Sequence, residues 1–380
     1  MNLLAETPKK RIDSIDILRG LVMAIMALDH TRDFFMAANY DPTDLTRAST
    51  ILFLTRFITH YCAATFVFLA GTGAFLSLTR GKSKADACKF LLSRGLWLVV
   101  LEFTLIHLGW GGGLFLQVIW AIGISMMVLG LLIFLPLPVI AGFGLLLIFG
   151  HNAFDHVNTA TFTPGEKTLW TFLHVPGMVH LWQGEDIFVF YPLVPWIGVM
   201  ATGYSFGKLF TIDAAKRKKA LVILGSSAII LFIVIRYFAI YGDPTTWTYQ
   251  GNIHRTILSF INISKYPPSL DYLLITLGPA MLFLAFIEGK KNIFTDIFVV
   301  FGRVPLFYYI LHLYLIHLLA ILIGLIVPLP QSPAPGQVSV GLSLGWVYLI
   351  WISVVTILYF PCKWFMQYKR EHKQWWLSYL

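Results

Sequence analysis

The most constraining feature of this chain is its run of long apolar segments that carry almost no charge. Residues 220–241, ALVILGSSAIILFIVIRYFAIY, contain a single charged side chain, Arg236. A helix of about 20 residues crosses a hydrocarbon core roughly 30 Å thick. In lipid every backbone N–H and C=O needs a partner within the protein, so only helices or a closed barrel can span. The alternating ten-residue pattern of barrel strands is absent. The expected fold class is therefore all-α, a polytopic transmembrane helix bundle. Ten segments fit, near 15–36, 51–79, 90–109, 113–135, 137–150, 186–207, 220–241, 269–288, 301–327 and 341–365. Composition agrees: the chain is 57% hydrophobic and 12% charged, whereas about a quarter of a soluble domain is charged.

A net charge of +9 could indicate nucleic acid, but its placement argues against that partner. Nineteen Lys and Arg residues cluster on one side of the segments, among them Lys9, Lys10, Arg11, Arg80, Arg94 and the KRKK run at 216–219, against four on the other side. By the positive-inside rule both termini are cytoplasmic. The expected organisation is a cytoplasmic tail over 1–14, a transmembrane domain over 15–365 and a second tail over 366–380. No cleavable signal pattern precedes the first segment, which is expected to remain as an anchor. The three cysteines, Cys62, Cys88 and Cys362, have neither metal-ligand nor disulfide spacing. His151 and His156 also lack a ligand spacing, and no metal is expected.

Five arginines lie within the segments: Arg19, Arg32, Arg56, Arg236 and Arg303. A charge at mid-membrane costs roughly 2.5–3.5 kcal/mol on insertion scales and by default marks a site. Any one of them can be explained by snorkelling or a structural ion pair. The first segment, DSIDILRGLVMAIMALDHTRDFF, is harder to explain away. At 100° per residue Asp16, Arg19, His30 and Asp33 share one face, while Asp29 and Arg32 turn away as a local pair. Arg19 and His30 are about 16 Å apart along the axis at 1.5 Å per residue. In the second segment Arg56 and His60 share a face that antiparallel packing brings near His30, and Gly71 and Gly73 permit close helix contact. In the ninth, Arg303 shares a face with Tyr314 and His317, whereas His312 points nearly opposite.

An imidazole is the natural general base, or covalent acyl carrier, at neutral pH. His30 is the catalytic candidate, with Asp33 to orient it and His60 as proton relay or acceptor ligand. Arg19 and Arg303, with Arg56 and His317, are candidates for a donor's phosphates. The same groups could instead serve a proton-coupled transporter, although no internal repeat is visible. Glu102, mid-segment, has Arg56 or a histidine as its expected partner.

The runs SIDILRGLVMAIMALDHTRDFF and THYCAATFVFLAGTGAFL, followed by PLVPWIGVMATGYSFGKL, KYPPSLDYLLITLGPAMLFLAF and GRVPLFYYILHLYLIH, resemble the heparan-α-glucosaminide N-acetyltransferase family of transmembrane acyltransferases in its bacterial branch. The resemblance runs from about 11 to 365. It implies acetyl-CoA bound from the cytoplasm and acetyl transfer to an amino or hydroxyl group of an extracytoplasmic amino-sugar or glycan. It also implies a multi-pass protein of a bacterial inner membrane; oligomeric state stays open. In the lysosomal type an asparagine matches His30, an aspartate matches His60, and the catalytic histidine falls near Asp41. No histidine lies between His30 and His60 here.

Overall fold

The structure, a computed structural model, describes residues 12–36, 40–79, 81–180, 186–329 and 341–380. Lys9, Lys10, Arg11 and Arg80 of the basic clusters lie outside them. The chain forms a helical bundle. Helix α1 runs Asp13–Phe35, α2 Thr50–Thr59 and α3 Tyr61–Leu78. Ser49 caps α2 by accepting from Leu52 N at 3.2 Å. Helix α4 is Lys84–Leu101, capped by Ser83, which accepts from Asp86 N at 3.0 Å; it continues through a π-turn at Glu102–Ile106 into α5, His107–Gly109. The two-residue strand β1, Phe115–Leu116, leads to α6 at Val118–Leu132 and α7 at Leu137–Gly150.

Helix α8, Pro164–Leu173, and strands β2, Gly177–His180, and β3, Asp186–Val189, form a small cap. The strand order is β1-β3-β2, with β1 parallel and β2 antiparallel to β3. Helices α9, Leu193–Phe206, α10, Ala214–Phe238, α11, Ile253–Ile261, and α12, Leu270–Ile287, follow. Helix α13, Ile293–Arg303, breaks at Val304 (φ −132°, ψ 50°) before α14, Pro305–Gly324; α15 spans Leu344–Glu371. Proline has no N–H to donate and disfavours helix at the residue before it, so Pro305 starts a new helix.

All ten expected segments contain helix. Seven helices among the described residues are long and apolar enough to cross a membrane, and the chain is an integral, multi-pass membrane protein. Several boundaries differ from expectation. The second segment is two helices, α2 and α3, the sixth opens as strand β3 before α9, and the ninth is two helices, α13 and α14, while α10 begins before 220 and α15 runs past 365 into the expected tail. Proline at the α13–α14 junction accounts for the break in the ninth.

Helix α1 is central, packing against α2, α3, α12, α13, α14 and α15. Its tightest crossing pairs Gly20 with Gly302 of α13. A Cβ at Gly20 would lie 1.8 Å from Phe298 O, and one at Gly302 would lie 1.8 Å from Asp16 O. Gly71 has the expected role, since a Cβ there would lie 2.1 Å from Met200 O of α9. Gly73 does not: nothing stands within 4 Å of its Cβ position, and it lines a cavity instead.

Candidate functional site

Two cavities follow one another along α1. The first, about 260 Å³, is lined by Arg19, Met23 and Met26 of α1 and by Gly73, Arg94 and Ile122 from neighbouring helices. The second, about 440 Å³, is lined by Met26, Asp29 and His30, with Phe66, Trp110 and Lys265 among the facing groups. Met26, Phe66 and Val118 line both and make up the apolar boundary, or neck, between them. Phe115 of the edge strand β1, and Phe190 and Tyr191 just after β3, also line the second cavity.

His30 lies just beyond that neck. Its Nδ1 is 2.7 Å from His312 Nε2, and His312 Nδ1 is 3.1 Å from the Tyr308 carbonyl oxygen. A carbonyl only accepts, so His312 carries its proton on Nδ1 and its neutral ring accepts at Nε2. His30 then donates from Nδ1, and the lone pair of its own Nε2 remains for chemistry in the cavity it lines. His312 is fully buried. The His30 ring also meets Trp110 edge-on, with centroids 4.9 Å apart.

Beside His30, Asp29 collects the charges. Arg56 Nη1 donates to both of its carboxylate oxygens, at 2.8 and 2.6 Å, and Thr59 Oγ1 donates at 2.9 Å. Arg32 pairs with it at 2.8 Å and Lys265 at 3.9 Å. Burying ions is tolerable only when attraction and hydrogen bonds offset their desolvation, and this carboxylate has four such partners. Tyr266 borders the same cluster. Burial pushes its phenol up, but the Lys265 and Arg56 cations hold it below its ordinary value.

Asp33, the expected partner of His30, lines the same cavity, where it pairs with Arg32 at 2.6 Å and faces water in part. Asp29 and Arg32 do pair, yet they extend the site rather than turn from it. Of the four residues expected to hold a donor, only Arg19 lines the first cavity; its Nη1 donates to Gly302 O at 3.0 Å. Arg303 is paired with Asp13 at 3.1 Å and Asp16 at 3.4 Å, fixing the start of α1 to α13. Arg56 belongs to the Asp29 cluster. His317 is twelve residues into α14, about 18 Å along the axis, and its ring lies 5.5 Å from Phe34. His60 is buried and lines a third cavity behind Arg56. Among the described residues Glu102 has neither Arg nor His as partner: its carboxylate accepts from Gln117 N at 3.1 Å and Trp120 N at 2.9 Å, capping the start of α6.

Three residues of the arrangement are not legible in the sequence. Helical phase from Arg303 turns His312 away, and it fails because Val304 breaks the helix. Arg94, on the wall of the first cavity, reads in the sequence only as a topology signal. Lys265 lies in a loop with no local sign of its inward aim. Among the described residues no group of three or more His, Cys, Asp and Glu side chains is arranged to hold a metal ion.

The family described as heparan-alpha-glucosaminide N-acetyltransferase, catalytic, matches residues 11–254. The chain belongs to that family. Its membership makes this a protein of an N-acetyltransferase family, and the match covers α1 with His30, α2 with Arg56, and Arg94. His312 and Lys265 lie beyond the matched residues. No curated protein matches the chain.

Proposed function

We propose that the protein moves an acetyl group from acetyl-CoA, bound at the end where Arg19 and Arg94 lie, to an amino group of a sugar-like acceptor in the second cavity. Positive-inside counting puts the donor end in the cytoplasm. The observation that carries this reading is the pair of cavities meeting at Met26, Phe66 and Val118, with His30 just past the neck. Two guanidinium groups suit the donor's phosphates. The apolar wall between Arg19 and the neck suits the acyl-bearing arm, which would thread toward His30 through the neck.

In the proposed reaction the acceptor nitrogen attacks the thioester carbonyl carbon. The C–N bond forms, the C–S bond breaks, and the coenzyme leaves as thiolate. His30 Nε2 takes the proton from the attacking nitrogen and returns it to the leaving sulfur. His312 acts as a positioning residue: it accepts from His30 Nδ1 and so fixes which nitrogen of His30 is the base. The Asp29 cluster holds the far half of α1, and its Arg56 and Lys265 flank the acceptor.

The test is a transfer assay on purified protein with acetyl-CoA and glucosamine, reading free thiol and N-acetylglucosamine together. Acetylation is expected, with a loss of about 10²–10⁴-fold in His30→Ala. Full activity in a folded His30→Ala protein would remove the base assignment. Proton-linked glucosamine flux in proteoliposomes, with no thiol released, would support a transporter instead.

A further inference from the structure

The first cavity is too small for a whole coenzyme. Its volume is about 260 Å³, below the roughly 300–1,000 Å³ of sites for drug-sized ligands. Coenzyme A is larger than such ligands, with a pantetheine arm, a diphosphate, a phosphorylated ribose and an adenine. With the arm in the cavity, the nucleotide half must rest on the surface at its mouth. Helices α4 and α6 fix where that mouth lies. They run antiparallel, Gly95 against Gly123 and Leu91 against Gly130. Phe90, on the cavity wall, is therefore about 15 Å along α4 from the level of Val118 at the neck. The end opposite the neck, at Phe90, is the donor's way in.

Residues 375–380 are fastened at that end. The segment opens with a 3₁₀ turn, Trp375–Ser378, and Leu377 within it is buried. Phe90, Ser93 and Arg94 share one face of α4, and each meets the segment. Arg94 Nη1 donates to Ser378 O, and Ser93 Oγ lies 2.7 Å from the Tyr379 hydroxyl. The Phe90 and Tyr379 rings have centroids 5.9 Å apart, and the Trp375 ring follows 6.0 Å from Tyr379. Lys82 adds a second cation, its Nζ 4.4 Å from the Phe90 centroid. Tryptophans are common at membrane interfaces, but Trp375 ends an aromatic row that starts on the cavity wall, and it is 78% exposed.

We propose that this segment is the nucleotide subsite of the donor: the adenine stacks on the exposed face of Trp375 while the phosphates lie against Arg94 and Lys82. The inference rests on the acetyltransferase reading for the identity of the donor. A planar indole suits any base through its π-face, and a guanidinium beside an ammonium suits phosphate oxygens. The Ser378 carbonyl holds the Arg94 guanidinium in place and ties the stacking platform to the cavity wall. Donor affinity is then supplied in part by residues beyond the matched 11–254.

The test compares coenzyme A with 4′-phosphopantetheine, which keeps the arm and one phosphate but lacks the nucleotide. Full-length protein in detergent is titrated with each by calorimetry. Coenzyme A is expected to bind the more tightly. Trp375→Ala should weaken coenzyme A by about 5–100-fold, the range that stacking of one base carries, and leave phosphopantetheine within about twofold. Trp375→Phe keeps an aromatic face and should retain most of the affinity. Both ligands are measured on the same variant, so a general loss of folded protein leaves their ratio unchanged. Equal binding of the two by the unaltered protein, or an unchanged ratio in Trp375→Ala, overturns the subsite and leaves the donor cavity standing. Failure of the unaltered protein to bind either ligand refutes the donor reading, and the subsite with it.

Discussion

His30 Nδ1 and His312 Nε2 lie 2.7 Å apart, across 282 residues of chain. The contact joins α1 to α14, and the Tyr308 carbonyl 3.1 Å from His312 Nδ1 sets the proton order along it. Reversing that order would put two lone pairs or two protons face to face, so the tautomer of His30 is fixed from the second helix.

Replacing His312 should therefore affect turnover more than donor binding. His312→Phe is expected to lower kcat by about 10²-fold, near the low end of general-base effects, with the acetyl-CoA KM within threefold. His312→Gln keeps an amide that can accept from His30 and donate to Tyr308 O, and should recover part of the loss. Steady-state kinetics on the two variants checks both points. Equal loss in both, with a raised KM, would mean that His312 only holds the helices together.

The charge cluster gives a stability prediction. Asp29→Asn leaves Arg56, Arg32 and Lys265 buried without their common anion, and breaking such a pair costs about 3–5 kcal/mol. Lys265→Met removes only the 3.9 Å partner and leaves Asp29 with Arg56, Arg32 and Thr59, so it should cost less than Asp29→Asn. Thermal unfolding in detergent should then rank unaltered protein, Lys265→Met and Asp29→Asn in falling order, with the wider gap before the last.

The gross fold was legible because lipid leaves an apolar segment little choice but helix. Within it, the first segment stands out through six charged residues in one otherwise apolar run. Partner choice was not legible. Helical phase separated Asp29 from His30, yet α1 is surrounded by helices, so a side chain turned from one neighbour meets another. Arg56 and Lys265 reach Asp29 from α2 and from the loop before α12, and no spacing within α1 reports them. Phase also misled at His312, where one proline resets the register between Arg303 and Leu306. Arg94 carried an ambiguous signal: a cation at the basic end serves topology whether or not it also lines a cavity.

The glycine crossing makes a sharper claim about packing. A methyl at Gly302 would stand 1.8 Å from Asp16 O, against backbone that cannot swing aside. Gly302→Ala should therefore cost at least the roughly 1–3 kcal/mol of core overpacking and loosen the Arg303 pairs to Asp13 and Asp16. At Gly73 no atom lies within 4 Å of the added methyl. Gly73→Ala should leave the unfolding temperature unchanged or raise it slightly, since alanine favours helix by about 1 kcal/mol over glycine. Unfolding curves for the two variants, side by side, separate a contact glycine from a cavity glycine.

Outside the helices, Asp155 gives a pH dependence. Burial pushes its carboxyl up, but hydrogen bonds from His174 at 3.0 Å and Asn152 at 2.7 Å hold it below its ordinary value. A lowered folded value means that its contribution is complete above the unfolded value near 3.9 and disappears as pH falls through the folded one. The cap carrying α8 should thus loosen below about pH 4. Hydrogen exchange over residues 152–174 should rise there, and Asp155→Asn should show the faster exchange already at pH 7 with less change on acidification.

The donor end yields the most direct check on the proposed function. Arg19 and Arg94 both line the first cavity, and a hydrogen bond to a charged group contributes about 1.5–3 kcal/mol. Arg94→Ala should raise the acetyl-CoA KM by about 10–100-fold, the same range expressed as affinity, while the acceptor KM stays within threefold. Raising ionic strength should weaken donor binding in the unaltered protein and less so in Arg94→Ala, because one screened contact is already gone. At the neck, Phe66→Trp adds bulk between the two cavities. It should leave coenzyme A binding at the Arg19 end intact, measured by calorimetry, yet cut transfer, since the acyl group can no longer reach His30. If Phe66→Trp abolished coenzyme binding and Arg94→Ala left the KM unchanged, the donor would have to enter by another route.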